Sequence, residues 1–175
     1  MRSRLLVVGL APGRLGAHRT GHPFWGDDSG DWLYDALLRY GYAEAGEAGR
    51  PPRLKDCRIT NAVRCLPPGN RPTPAERRQC STFLERDLGE LCRGGRRRRP
   101  VAVLALGHFA HEAVLSSLGL RLASLPFAHG AAHRLAGGLA LVDSFHCSRY
   151  NTRTGRLTRS MFDAVFEQLK AHLLA

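Results

Sequence analysis

A chain of 175 residues with 43% hydrophobic content can bury one genuine core and is too short for two comfortable domains, so a single domain over residues 1–175 is expected. Its 26 basic against 15 acidic residues give a net charge of +11, carried by arginine apart from Lys55 and Lys170, which favours a polyanionic partner, nucleic acid before an acidic membrane surface. No segment approaches the roughly 18 apolar residues of a bilayer span, and five cysteines without a secretory leader argue against a disulfide framework; a cytoplasmic monomer with no membrane attachment is expected.

The chain opens with two arginines and a short apolar run, Arg4 to Leu10, which ends in Pro-Gly without a small-residue cleavage site and reads as a first strand. After a long polar loop, Trp32, Leu33, Ala36, Leu37 and Tyr40 share one helical face. Cys57 to Val63 is the second strand. "TPAE" at Thr73 to Glu76 opens a helix, with Thr as N-cap, Pro in the first position and Glu closing a capping box; Phe83, Leu84, Leu88 and Leu91 continue its apolar stripe. "RGGRRRRP" at Arg93 to Pro100 is expected to be a solvated loop. A third strand, Val101 to Gly107, precedes a helix over His108 to Leu118. A fourth, Leu139 to Phe145, precedes a polar loop and a last helix over Leu157 to Leu174.

Continuous rather than alternating apolar runs suit strands covered on both faces. The expected fold is therefore α/β: a three-layer α/β/α sandwich around a central four-stranded, mainly parallel sheet. Ligands of such sheets belong at the carboxyl ends of the strands. Each strand there leads into an unusually polar segment: "APGRLGAHRTGHPFWGDDSGDW", "RCLPPGNRPTP", "GHFAHEAVL" and "HCSRYNTRTGRLT".

Taken in order, "GLAPG" (Gly9 to Gly13), "HPFWGDDSGDWLYDAL" (His22 to Leu37), "TNAVRCLPPGNRPTPAE" (Thr60 to Glu76), "ALG" (Ala105 to Gly107) and His146 to Thr158 resemble the uracil-DNA glycosylase superfamily, best its type-5 (b-type) enzymes. The resemblance implies an enzyme of base excision repair that flips a deaminated base out of DNA and hydrolyses its glycosidic bond. It implies that Asp27 serves the cationic sugar and the attacking water; Asp31, in the same glycine-flanked loop, reads as a helix cap or turn residue. His146 would stabilise charge on the departing base. Asn61 matches a base-reading asparagine, its amide complementary to uracil O4 and N3–H. Asn70 matches a position linked to activity, though it could equally be a turn residue among prolines, and Phe24 matches a base-stacking aromatic that could equally be core. Leu10 and Ala11 would line the base pocket, Leu10 standing where other types carry a polar catalytic residue. Cys147 replaces the usual proline after the motif histidine, from which a looser hold on His146 is expected.

The same resemblance implies a 4Fe–4S cluster. Cys65 and Cys80 match two of its four ligands; the early pair is missing, so either an N-terminal segment or the cluster is absent. Ser148, Arg149, Asn151, Arg153 and Arg156 are expected to contact DNA, with Tyr150 or Leu157 as a wedge, Leu157 being at least as readily a core residue. An inactive DNA-binding relative would keep the same basic loops. A nucleotide-binding α/β enzyme is disfavoured, since "GLAPGRLG" is neither a dinucleotide fingerprint nor a P-loop.

Overall fold

The computed structural model describes residues 3–93 and 99–175, so most of the basic run at 93–100 lies outside the described residues. In chain order the elements are β1 (Leu5–Gly9), α1 (Ala17–Thr20), α2 (Asp28–Arg39), β2 (Ala43–Glu44), β3 (Arg53–Leu54), β4 (Cys57–Asn61), α3 (Pro74–Cys92), β5 (Val101–Leu106), α4 (His108–Ser117), β6 (Ala132–Arg134), β7 (Leu139–Ser144), α5 (Arg149–Arg153) and α6 (Arg159–Leu174). The central sheet has the order β4-β1-β5-β7-β6. The four strands expected from their apolar runs are all present and mutually parallel.

A fifth strand enlarges the expected four-stranded sheet. β6 joins the edge antiparallel to β7. Its three residues, Ala-His-Arg, are partly exposed and carry no apolar run, so pairing with β7 rather than local sequence makes it a strand. The β2–β3 hairpin is likewise too short to show a periodicity.

Both faces of the sheet are covered, which explains the uninterrupted apolar runs. Leu5, Val7, Leu104 and Val142 pack toward α2 and α6, against Leu33, Leu37, Phe162 and Phe166. Their neighbours Leu6, Val8, Val103 and Leu141 point the other way, onto Leu84 and Leu88 of α3 and Val114 and Leu115 of α4. Alternate residues of one strand thus serve different layers.

Helix starts follow local chemistry. Thr73 Oγ1 accepts from Glu76 N at 3.2 Å while Thr73 N donates to Glu76 Oε2 at 2.7 Å, completing the expected capping box. Phe83, assigned above to the buried stripe of α3, is instead 41% exposed beneath the Arg64 guanidinium; Cys80 fills the inward position. Thr158 caps α6 through Met161 N at 3.2 Å, and buried Leu157 before it joins the same core as Phe162, one turn on. Leu157 is 0% exposed and holds the helix entry, so it is no wedge. Beside α3, buried Asp87 accepts from Thr60, Arg58 and Arg64 at 2.7–2.9 Å, which pins edge strand β4 to the helix.

Phe166 of α6 is fully buried against Tyr40, Tyr42 and Phe162. Phe166→Ala should cost about 3–5 kcal/mol, read by chemical denaturation, with the midpoint lowered and the slope unchanged.

Candidate active site

The sheet order reverses between β1 and β5: the chain runs from β1 outward to β4, then returns to the other side of β1. Loops leaving the two strands diverge there and open a crevice. A cavity of about 300 Å³ occupies it, walled by Leu10 and Ala11 from the β1 exit, Asn61 from the end of β4, and Gly107, His108 and Phe109 from the β5–α4 junction. Phe24, Asp27, Asn70, His146 and Ser148 also line it. All three expected catalytic residues and all four expected base-pocket residues therefore share one hollow.

The two carboxylate oxygens of Asp27 have different surroundings. Oδ1 accepts from Gly30 N at 3.0 Å, making Asp27 the N-cap of α2. The cap expected at Asp31 is thus one turn earlier; Asp31 lies inside the first turn of the helix. Oδ2 lies against the glycines of the β1 loop, where a Cβ on Gly16 would stand only 2.2 Å from it. Gly30 is equally constrained, since a Cβ there would meet the Phe24 carbonyl oxygen at 1.7 Å. Phe24 itself has φ of 55°, the left-handed region that costs a bulky side chain about 1–3 kcal/mol. The strain turns its ring into the cavity wall, stacked on His146 with centroids 5.8 Å apart.

His146 follows β7. Burial holds its imidazole down to a pKa of about 4, with the Asp27 carboxylate opposing that shift. At neutral pH the ring is uncharged, and one nitrogen only can donate. Its buried Nδ1 has no protein partner, so ring stacking and the backbone, rather than a second hydrogen bond, orient it. Asn151 supplies the backbone anchor: Nδ2 donates to His146 O at 2.8 Å. Asn151, expected on DNA, is partly buried and braces this loop. Cys147 is wholly buried, its thiol donating to Ser29 O at 3.3 Å and pushed by burial up to about 12. Where the family's proline is missing, a buried thiol and two side-chain hydrogen bonds hold the loop.

Asn61 is 9% exposed and its Oδ1 is buried without a hydrogen-bond partner. An orphaned buried acceptor costs about 1–3 kcal/mol, and here it borders the cavity, where a donor could satisfy it. Asn70 has φ of 56° in the turn after Pro68, as a turn residue would, and it also lines the cavity. Leu10 offers the cavity only an apolar side chain, leaving Asp27 as its carboxylate.

A second, more open groove of about 670 Å³ shares Gly13, Asp27, Ser29 and Asn70 with the cavity and runs past Arg14 and Arg149. Arg149 makes a two-point contact with Asp28 at 2.7 and 3.3 Å, which lowers the Asp28 carboxyl and leaves the guanidinium partly engaged. Arg153 is exposed and 4.0 Å from the same carboxylate. Arg156 lies over the Phe145 ring at 4.8 Å. Tyr150 is 68% exposed, leaving it as the one wedge candidate of the two named. His108, Phe109 and Gly107 were not singled out as site residues; the abrupt strand-to-helix change at Gly107 was the available signal. They matter because α4 begins at the cavity wall with no side-chain cap, so the positive end of its backbone dipole faces the hollow.

The cysteines do not gather. Cys65 is exposed, Cys80 is buried in α3, Cys57 is buried in β4 and Cys147 sits behind His146. Among the described residues no three cysteines approach one common point. Two matched thiolates are half of what a 4Fe–4S cluster requires, so these residues do not fit that group, and no chemical step depends on it. No helix among the described residues is long and apolar enough to cross a membrane.

A family model of the uracil DNA glycosylase superfamily matches residues 1–170. The type-5 uracil-DNA glycosylase of Thermus thermophilus is 46% identical over 170 residues, 96% of this chain and 75% of that protein. That of Mycobacterium tuberculosis is 43% identical over 173 residues, 97% of this chain and 63% of the relative. A type-4 uracil-DNA glycosylase of Archaeoglobus fulgidus is 30% identical over 135 residues, 77% of this chain and 58% of its own length. With a matching model along nearly its whole length and the shared hollow at the strand ends, the chain belongs to the uracil DNA glycosylase superfamily.

Proposed function

We propose that this protein is a DNA-repair glycosylase that draws uracil out of DNA and hydrolyses its N-glycosidic bond, the first step of base excision repair. The observation that carries this reading is the unpartnered Asn61 Oδ1 in the wall of the cavity that Asp27 and His146 also line. Uracil N3–H would satisfy that oxygen while the amide Nδ2 donates to O4; cytosine offers an acceptor at N3 and a donor at N4, leaving buried groups unpaired. Phe24 stacks on the extruded base.

In the reaction the water oxygen bonds to C1′ as the C1′–N1 bond breaks. The bonding pair leaves with N1, and the water proton passes to Asp27 Oδ2. Asp27 also offsets positive charge on the sugar. The departing base is anionic. Neutral His146 donates to it without protonating it fully, and the amino end of α4 adds positive potential. Ser148, Arg153 and Arg156 border the DNA path, with Tyr150 filling the gap left by the flipped nucleotide.

Asp27→Asn is the discriminating substitution, because asparagine caps helices as well as aspartate does and only the charge is lost. Single-turnover excision from a uracil-containing duplex should fall at least about 100-fold with binding retained; unchanged excision would refute the assignment. Arg153→Ala should lower the slope of log affinity against log salt by about 0.9, measured by fluorescence anisotropy over a potassium chloride series. An unaltered slope would place the DNA elsewhere. His146 also makes stability depend on pH. The unfolded chain accepts a proton near pH 6.5, whereas the folded ring resists until about pH 4. Wild-type stability contributed by neutral His146 is complete above pH 6.5 and lost as pH falls toward 4. His146→Gln should shrink the difference in unfolding free energy between pH 7 and pH 5.

A further inference from the structure

Behind the active-site loop, on the opposite side of β7 from the core that holds α6, three ionisable side chains converge: His111 from α4, His133 from β6 and Asp143 from β7. His111 and Asp143 are 2% and 0% exposed and His133 is 13% exposed. Their ligand atoms lie within 4.8 Å of one another, the only such trio among the described residues. From this geometry we propose a structural divalent metal site, suited to Zn²⁺, built from His111 Nδ1, His133 Nε2 and an Asp143 carboxylate oxygen.

Three observations converge on it. First, His111 Nε2 is 2.8 Å from the Leu125 carbonyl oxygen, to which it can only donate. That contact leaves Nδ1 as the ring's ligand atom, the outer-shell arrangement that metal-binding histidines characteristically have. Second, His133 Nε2 and Asp143 Oδ2 are buried and face only each other, at 3.4 Å and without hydrogen-bond geometry. Buried orphans need an explanation, and a shared cation satisfies both. Third, these two atoms are 3.4 Å apart, close to the edge of about 3.3 Å that tetrahedral zinc has with bonds of about 2.0–2.1 Å. His111 Nδ1 and Asp143 Oδ1 are closer, at 2.8 Å; the ion replaces the proton of that hydrogen bond and opens the contact slightly. Two neutral imidazoles and one carboxylate are a borderline donor set that favours zinc over magnesium or calcium. Phe127 packs edge-on to His111 and gives the site an apolar wall.

Such an ion would tie edge strand β6 and helix α4 to β7, three residues before His146. Its role is structural, independent of the proposed excision.

The test is metal titration of the full chain after chelator treatment. Zn²⁺ calorimetry should show a site that is at least about tenfold weaker in His133→Ala, and Co²⁺ should give the visible spectrum of tetrahedral coordination, lost in Asp143→Asn and His133→Ala. The thermal midpoint of the wild type should rise with Zn²⁺, and that of His133→Ala should not. His133 lies on the sheet edge, so its variant tests the site even if Asp143→Asn fails to fold. Equal Zn²⁺ affinity in wild type and His133→Ala, or no tetrahedral Co²⁺ spectrum in the wild type, would overturn the proposal and leave a hydrogen-bonded pair with a neighbouring imidazole.

Discussion

The hydrogen bond from Gly30 N to Asp27 Oδ1 fixes more of this site than any other contact. It begins α2, and by engaging one carboxylate oxygen it orients the other. That orientation requires bare backbone on both sides: Gly16 beneath Oδ2, and Gly30 against the Phe24 carbonyl. The same crowding holds Phe24 in a left-handed conformation and turns its ring onto His146. A helix cap, a strained aromatic and the cavity's carboxylate are thus one local solution. The stability of the helix and the placement of the acid cannot be separated by mutation unless the cap is kept.

The second constraint is burial. His146 has no carboxylate hydrogen-bonded to its ring, so its neutrality comes from exclusion of water rather than from a paired charge. In the proposed reaction, where negative charge develops on the leaving group, a neutral ring offers a donor that retains its proton, and it does not form a standing ion pair with Asp27. The loop around it must then be rigid by other means. Asn151 on the His146 carbonyl and the buried Cys147 thiol on Ser29 provide that rigidity, tying the loop both to α5 and to the first turn of α2.

Charge is distributed less simply than a net value of +11 suggests. Arg58 and Arg64 bind buried Asp87, Arg39 and Arg159 bridge α2 and α6 through Asp35 and Asp163, and Arg149 holds Asp28. Much of the arginine is architectural. Its exposed remainder near the open groove, Arg153 above all, is what a polyanion would meet.

The four long apolar runs determined the parallel sheet and its covered faces, because burial on both sides demands uninterrupted hydrophobic residues. Thr73-Pro-Ala-Glu determined a helix start through contacts confined to four residues. The order of the motifs along the chain was enough to single out Asp27, Asn61 and His146 as candidates, and all three line the cavity. Other features depended on partners distant in sequence. β6 is a strand only because β7 offers an edge, Phe83 turns outward because Cys80 and Arg64 take the positions around it, and Asn151 faces inward because the His146 carbonyl is there. The clustering of His111, His133 and Asp143 is of the same kind. Periodicity and caps arise from interactions within a turn or two, so sequence determined them; which polar side chains meet, and which lose water on meeting, follows from sheet register and packing, so only the tertiary structure could decide it.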